Sequence, residues 1–511
     1  MERENNLSGD IGPDASDAFD PVAWINTPRW QASRLGLERV RDLLDRMGRP
    51  QDALRFIHVA GTNGKGSTCA YLASILQTAG YKVGLFTSPF IERFEERIRM
   101  NGANITDEEL LRAVAAVRPA AEAVEAACGD HPTEFELMAA VAFEHFRACG
   151  CDIVVLEVGL GGRLDATNVI DAPEVSVICR IGLDHTDLLG DTLAAVAGEK
   201  AGIVKHGAPV VSWPQEPEAM AVIERIARER ECVLTAPDFS ELSVAPLAGV
   251  ALRRFSWKRR DFETRLLASY QPYNAAVALT AIEVLRECGW SISEDAAFAG
   301  IAQAAWPARF EVAGTDPLTI IDGGHNPQGA EALADSLDDL LGDAGRNTVD
   351  FVMGVLADKD YPAMIRAVAP WARSFRTYTP PTPRALAAED LASCIREVLA
   401  EWGESAEVVP CPSAADALAS ARQAATASDR ETAAPSSAPA FAHETGAPSF
   451  APAFAHETGA PALFREAALE IARESAPSGT VVAFGTLYAI ADLKKALICR
   501  TMAPEWQKSA I

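Results

Sequence analysis

From Leu35 to Met47 apolar residues fall three and four positions apart, the period of one helix face, and Gly48 and Pro50 stop the pattern. Arg55–Ala60 is a short apolar run of strand type. It leads into Gly61-Thr-Asn-Gly-Lys-Gly-Ser67, after which a helical period resumes from Thr68 to Thr78 and closes at Gly80. Tyr81–Thr87 reads as a second strand. Thr106 to about Ala127 reads as a helix with acids in its first turn, and Asp152–Val158 as a buried strand ending in Glu157-Val-Gly-Leu-Gly-Gly162. Val175–Ile181 is a further strand, followed by Leu183-Asp-His-Thr186. Strands alternating with helices predict a mostly parallel sheet with helices on both faces, where ligands gather at the carboxyl ends of the strands. The polar motifs all sit at those ends.

A second alternating series follows Trp306-Pro-Ala-Arg-Phe310, with strands at Leu318–Ile321, Thr348–Met353, Ser374–Tyr378 and Thr480–Ala483. It predicts a second, smaller α/β domain. The boundary is placed near Val312–Pro317, giving domains 21–312 and 313–511 behind a disordered acidic tail, 1–20. Between about Ala424 and Ala462 the composition turns to Ala, Pro, Ser, Thr and Glu, and residues 438–448 recur as 451–461. Two such copies are too few for a solenoid and too poor in apolar bulk for a core, so a disordered insertion in the second domain is expected. His443 and His456 within the copies are read as solvated linker residues.

The chain has 511 residues, enough for more than one core. Its 46 Lys and Arg against 71 Asp and Glu leave a net charge of −25, which repels nucleic acids and anionic membranes. Any anionic substrate must therefore be met locally by Lys, Arg, backbone N–H groups or metal ions. The ten cysteines are scattered without zinc-ligand spacing, as suits reduced thiols in a cytoplasm. The N-terminus lacks a secretory signal, and no apolar run is long enough to span a bilayer.

The turn at 61–68 lies between strand and helix, where backbone N–H groups cradle phosphate oxygens. Gly61, Thr62, Asn63, Gly64, Lys65, Gly66, Ser67 and Thr68 are the candidate nucleotide contacts, with Lys65 as point charge and the Ser67 hydroxyl as magnesium ligand. The spacing departs from the usual phosphate-loop pattern, because Gly66 separates Lys65 from Ser67.

This loop resembles that of folylpolyglutamate synthases and bifunctional dihydrofolate synthases of the Mur ligase superfamily. The resemblance continues through Thr87-Ser88-Pro89, Glu96-Arg97-Ile98, Thr133-Glu-Phe-Glu136, Arg163-Leu-Asp-Ala-Thr-Asn168, Glu199-Lys200-Ala-Gly-Ile203, Gln271-Pro-Tyr-Asn274, Asp322-Gly-Gly-His325-Asn-Pro327 and Ala357-Asp-Lys-Asp360. It implies a phosphate-loop ATPase domain followed by a smaller Rossmann-like α/β domain. By the same resemblance Ser88, Glu157 and His185 hold divalent metal, two magnesium ions or manganese in their place, and Lys200 is the lysine modified to a carbamate ligand. Asn274, Arg309 and Asp322 would contact ATP, and His325 would lie near the incoming glutamate. Tyr270 and Gly324 stand where many relatives carry His and Ala.

The implied reaction is ATP-dependent addition of L-glutamate to a folate or to dihydropteroate through an acyl phosphate, by a cytoplasmic monomer with Lys65, Lys200 and His325 in the chemistry. Two alternatives remain open at this level: a muramyl-type amino-acid ligase, and a nucleotide-binding regulator without ligase activity.

Overall fold

The computed structural model describes residues 19–28, 36–247, 249–432 and 479–501. Most of the expected tail lies outside them, but Asp20 belongs to the fold. Its carboxylate accepts from the Val22 and Ala23 N–H groups and caps the helix Pro21–Asn26. The helix expected from Leu35 runs over Glu38–Arg46.

The first sheet contains β1 (Phe56–Ala60), β2 (Val83–Phe86), β3 (Ile98–Met100), β4 (Ala103–Asn104), β5 (Ile153–Glu157), β6 (Val175–Ile178), β7 (Val210–Ser212) and β8 (Leu234–Thr235). Their order is β4-β3-β2-β5-β1-β6-β7-β8. The six strands from β2 to β8 in that order are parallel, and β3 and β4 run antiparallel at one edge. Both faces are covered. Ile57, Val59, Ile153 and Val155 pack into one core with the helices Lys65–Thr78 and Gln271–Glu287. Their neighbours Phe56, Val154 and Leu156 pack into another with Asp107–Cys128 and Glu134–Cys149. Burial on both faces is why these strands read as unbroken apolar runs.

Strand β6 stops three residues before the pattern does. The Arg180 carbonyl accepts from the Thr62 and Asn63 N–H groups, so the chain beyond Ile178 wraps the glycine-rich turn instead of extending the ladder. The expected helix also starts earlier, at Lys65, because Gly64 takes a left-handed φ of 87° and turns the chain into it.

A three-stranded antiparallel sheet, β9 (Leu242–Val244), β10 (Arg253–Trp257) and β11 (Arg260–Thr264), was not expected. Its hairpin turns on Lys258 and Arg259, both at positive φ, where the sequence offers none of the Asn or Gly that usually marks such a turn.

The second large sheet holds β12 (Glu311–Thr315), β13 (Leu318–Ile321), β14 (Val349–Met353), β15 (Ala372–Thr377), β16 (Glu407–Pro410) and β17 (Thr480–Phe484), in the order β12-β13-β17-β14-β15-β16. All pairs are parallel except β12 with β13. Position 312 falls inside β12, which is a hairpin partner of β13.

The expected insertion overlaps a helix. Ala414–Thr432 is continuous, its Ala421 and Ala425 buried beside Val352 and Val481, so residues 424–432 belong to regular structure. That stretch is alanine-rich and meets no proline before Pro435, and composition alone took it for linker. The repeated segments, with His443 and His456, lie outside the described residues. No helix among the described residues is long and apolar enough to cross a membrane.

Candidate active site

The turn after β1 is held from three sides. Thr62 Oγ1 donates to the Gly182 carbonyl at 2.9 Å and accepts from the Gly182 N–H at 3.0 Å. The Thr62 and Asn63 amides are taken by Arg180, as described above. The N–H groups left for a ligand include those opening the helix, at Lys65, Gly66 and Ser67, where the helix dipole also favours an anion. Thr68 does not contribute. Its N–H bonds the Gly64 carbonyl, and its buried hydroxyl meets Cys179 Sγ at 3.4 Å, away from the cleft.

Packing explains the unusual glycine between Lys65 and Ser67. A Cβ on Gly66 would lie 2.7 Å from Trp306 Nε1, and one on Gly64 would lie 2.5 Å from Asn274 Oδ1. The two glycines let the helix Gln271–Glu287 and Trp306 close over the turn. Gln271 donates to Ser67 Oγ at 3.1 Å and Asn274 to Gln271 at 3.2 Å, so the helix Gln271–Glu287 is tied to the same place.

Two ammonium groups converge here. Lys65 Nζ reaches back to the Gly61 and Thr62 carbonyls at 3.1 and 3.3 Å, and Lys200 Nζ meets the Gly61 carbonyl at 2.9 Å. Burial, reinforced by the Lys65 charge, lowers Lys200 to about 7. Glu157, at the end of β5, is buried, which raises its carboxyl despite Lys65, the Ser88 N–H donated at 3.0 Å, and Arg309. His185 sits at a left-handed φ of 51°, half-exposed, its imidazole lowered by desolvation.

The second sheet supplies the opposite wall. Ala308 and Phe310 both adopt positive φ, a strained turn that presents Arg309. Asp322 pins that turn: one oxygen accepts from the Phe310 N–H at 2.8 Å and from Tyr270 OH at 3.3 Å, the other from the Gly324 N–H at 2.7 Å. Burial raises the Asp322 carboxyl. His325 Nδ1 lies 3.0 Å from the Gly323 carbonyl, and desolvation lowers its imidazole to about 4.

Between the two walls lies a cleft of about 210 Å³. Every residue proposed from sequence for nucleotide, metal or catalysis borders it except Thr68. The arrangement sets helix-terminal amides and two lysines opposite an arginine and a histidine from the other sheet.

Residues 59–282 match the Mur ligase middle domain and residues 308–436 the Mur ligase glutamate ligase domain. A Bacillus subtilis dihydrofolate synthase/folylpolyglutamate synthase is 38% identical over 397 residues, covering 76% of this chain and 91% of that protein. The chain belongs to the dihydrofolate synthase/folylpolyglutamate synthase family. A folylpolyglutamate synthase of Lacticaseibacillus casei is 39% identical over 376 residues, 72% of this chain and 86% of that one. Among solved structures, Mycobacterium tuberculosis folylpolyglutamate synthase complexed with ADP superposes with a TM-score of 0.75 at 26% identity, covering 93% and 95% of the two chains. Escherichia coli FolC in complex with DHPP and ADP gives 0.72 at 28%, covering 96% and 100%.

As in a Mur ligase, the chain folds as a large mostly parallel sheet and a second sheet domain facing it. A divalent metal fits this family member's cleft only as a shared guest. Among the described residues no three of His, Cys, Asp and Glu gather as a preformed cage. Ser67, Ser88 and Glu157 nonetheless put oxygen on the wall, and the raised, desolvated carboxyl of Glu157 is the kind of group a cation would stabilise. Magnesium suits such a sparse set, since it keeps waters and takes phosphate oxygens.

Sequence reasoning left out the contacts that cross between the sheets. Lys359 Nζ donates to Asp184 Oδ1 at 2.6 Å, Asn326 to Asp184 Oδ2 at 3.2 Å, and Asn63 to Gln328 at 2.8 Å. Burial opposes the charge on Asp184, but the Lys359 bond outweighs it and holds the carboxyl well below its ordinary value. Lys359 stood inside a family-like motif, and Asp184 in the Leu183-Asp-His-Thr186 segment after the strand. Nothing in the spacing of either says that they meet.

Proposed function

We propose that this cleft joins L-glutamate to folate-type carboxylic acids at the expense of ATP, through an acyl phosphate. The observation that carries the reading is the pairing of an open helix N-terminus and Lys65 on one wall with Arg309 and His325 of the glutamate ligase domain on the other. A carboxylate cannot expel oxide, so its oxygen first takes the γ-phosphoryl group, and phosphate then leaves when the glutamate amine attacks. The Lys65, Gly66 and Ser67 amides with the Lys65 ammonium bind and orient the triphosphate. Magnesium or manganese, when bound among Ser67, Ser88, Glu157 and His185, would neutralise phosphate charge. Arg309 approaches from the second domain and completes the site as the walls close, which excludes water from the acyl phosphate. His325, neutral near pH 7, lies where it can accept a proton from the incoming amine.

Lys200 is proposed to carry a carbamate. That reaction needs a neutral amine, and a group lowered to about 7 offers one at neutral pH. The acceptor has its own hollow of about 250 Å³, which shares Gly159, Leu160, Gly161 and Leu189 with the nucleotide cleft and carries Phe135 and Asp165 on its wall. An acceptor seated there would reach the nucleotide cleft with its carboxylate across those shared residues. Both dihydropteroate and tetrahydrofolates are assigned as acceptors, in a cytoplasmic monomer whose two domains divide at Trp306–Phe310, just ahead of β12. The test is phosphate release with ATP, glutamate and either acceptor. Release without amide formation for both acceptors would reject the reading.

A further inference from the structure

His58 lies at the centre of β1 and is fully buried, an expensive place for an imidazole. Burial, with a push from the Lys205 charge, takes it down to about 3, so it stays neutral through the working range. Among the described residues its Nδ1 has no hydrogen-bond partner. Its Nε2 lies 2.9 Å from Thr167 Oγ1. Thr167 Oγ1 in turn lies 2.6 Å from Asp165 Oδ1, which also accepts the Thr167 N–H at 3.0 Å. The other Asp165 oxygen accepts the Leu160 N–H at 2.9 Å.

The proton count fixes the direction. Burial raises the Asp165 carboxyl, but the hydrogen bonds it receives from the Thr167 hydroxyl and from backbone N–H groups favour its charged form, and as their acceptor it takes the single Thr167 hydroxyl proton. Thr167 oxygen is then free to accept, and His58 must donate from Nε2. That tautomer leaves Nδ1 a bare acceptor in an apolar core, which an imidazole would not choose for its own stability.

We propose that His58 is a positioning residue for the acceptor: through Thr167 it locks the Asp165 carboxylate and the Gly159–Gly161 wall that separates the acceptor hollow from the nucleotide cleft. The proposal rests on the assignment of that hollow to the acceptor.

Glutamine at 58 places its amide donor near the lost Nε2–H, whereas asparagine places it near Nδ1 and leaves Thr167 without a donor. The experiment measures KM for dihydropteroate and for ATP, with kcat, in His58→Asn, His58→Gln, Thr167→Val and Asp165→Asn, each checked for folding by thermal melting. His58→Asn and Thr167→Val should raise the acceptor KM about tenfold with the ATP KM within about twofold, and His58→Gln should return it to within about threefold. In the double variant His58→Asn/Thr167→Val the loss should not exceed that of Thr167→Val alone. Equal impairment by Asn and Gln, or parallel shifts in both KM values, would overturn the relay. If Asp165→Asn raises the acceptor KM while His58→Asn does not, the relay fails and the hollow stands. If Asp165→Asn leaves that KM unchanged, the hollow assignment itself fails.

Discussion

Replacing Lys359 with methionine tests how the two walls are held together. The ammonium lies 2.6 Å from Asp184 Oδ1, and the side chains are 7% and 11% exposed, so solvent cannot take over when one partner goes. Breaking such a pair from one side costs about 3–5 kcal/mol, chiefly through the charge left uncompensated. Asn326 still donates to the other Asp184 oxygen, which favours the lower end, about 3 kcal/mol. If that cost falls on the closed arrangement of the walls, it is roughly a hundredfold in population. The ligation kcat/KM of Lys359→Met should therefore fall about a hundredfold, while the melting temperature of each separate sheet domain changes little. Removing both charges, in Asp184→Asn/Lys359→Met, leaves no orphan and should restore activity to within about tenfold of the parent. Steady-state ligation and small-angle scattering with and without a non-hydrolysable ATP analogue provide the readouts. A single variant within threefold of the parent, or a double variant no better than the single, would refute the reasoning.

Lys200→Ala should abolish ligation, with partial rescue by short carboxylic acids; full activity in the unrescued variant would remove Lys200 from the chemistry. Because Lys200 is lowered from 10.5 to about 7, the unfolded chain binds a proton that the folded chain lacks between those values. This contribution therefore raises stability with pH across that window, and the melting-temperature difference between the parent and Lys200→Met should change in step. Gly66→Ala forces a Cβ to within 2.7 Å of Trp306 Nε1 and should cost about 1–3 kcal/mol, seen as a lower melting temperature and a raised ATP KM. Arg253, fully buried and 2.5 Å from Asp339, bridges the small sheet to the helix Pro327–Leu341. Arg253→Leu should destabilise by about 3 kcal/mol in urea, and adding Asp339→Leu should recover most of it.

Strand and helix positions were legible wherever burial was two-sided and continuous, as in β1, β5 and β13. The small sheet was not, because Lys258 and Arg259 adopt left-handed conformations without any residue that advertises them. For the site, chemistry confined to one turn was readable: Gly61 to Ser67 announce a phosphate cradle by their own order. What order cannot tell is which hydrogen-bonding groups the fold has already used. Thr68 carries the right hydroxyl but is turned into the core, and Asp322 spends its oxygens holding the Arg309 turn. The Asp184–Lys359 bond joins residues 175 positions apart, beyond any local rule.

Strand β17 lies between β13 and β14, yet the chain makes it after all the other strands of that sheet, beyond the repeat-bearing segment. Until Thr480–Phe484 emerges from the ribosome, β12 with β13 and β14 with β15 and β16 are two fragments with raw edges and no ladder between them. Translation that stalls before Gly479 therefore leaves a completed ATPase half attached to two sticky half-sheets, a form suited to aggregation and to capture by chaperones.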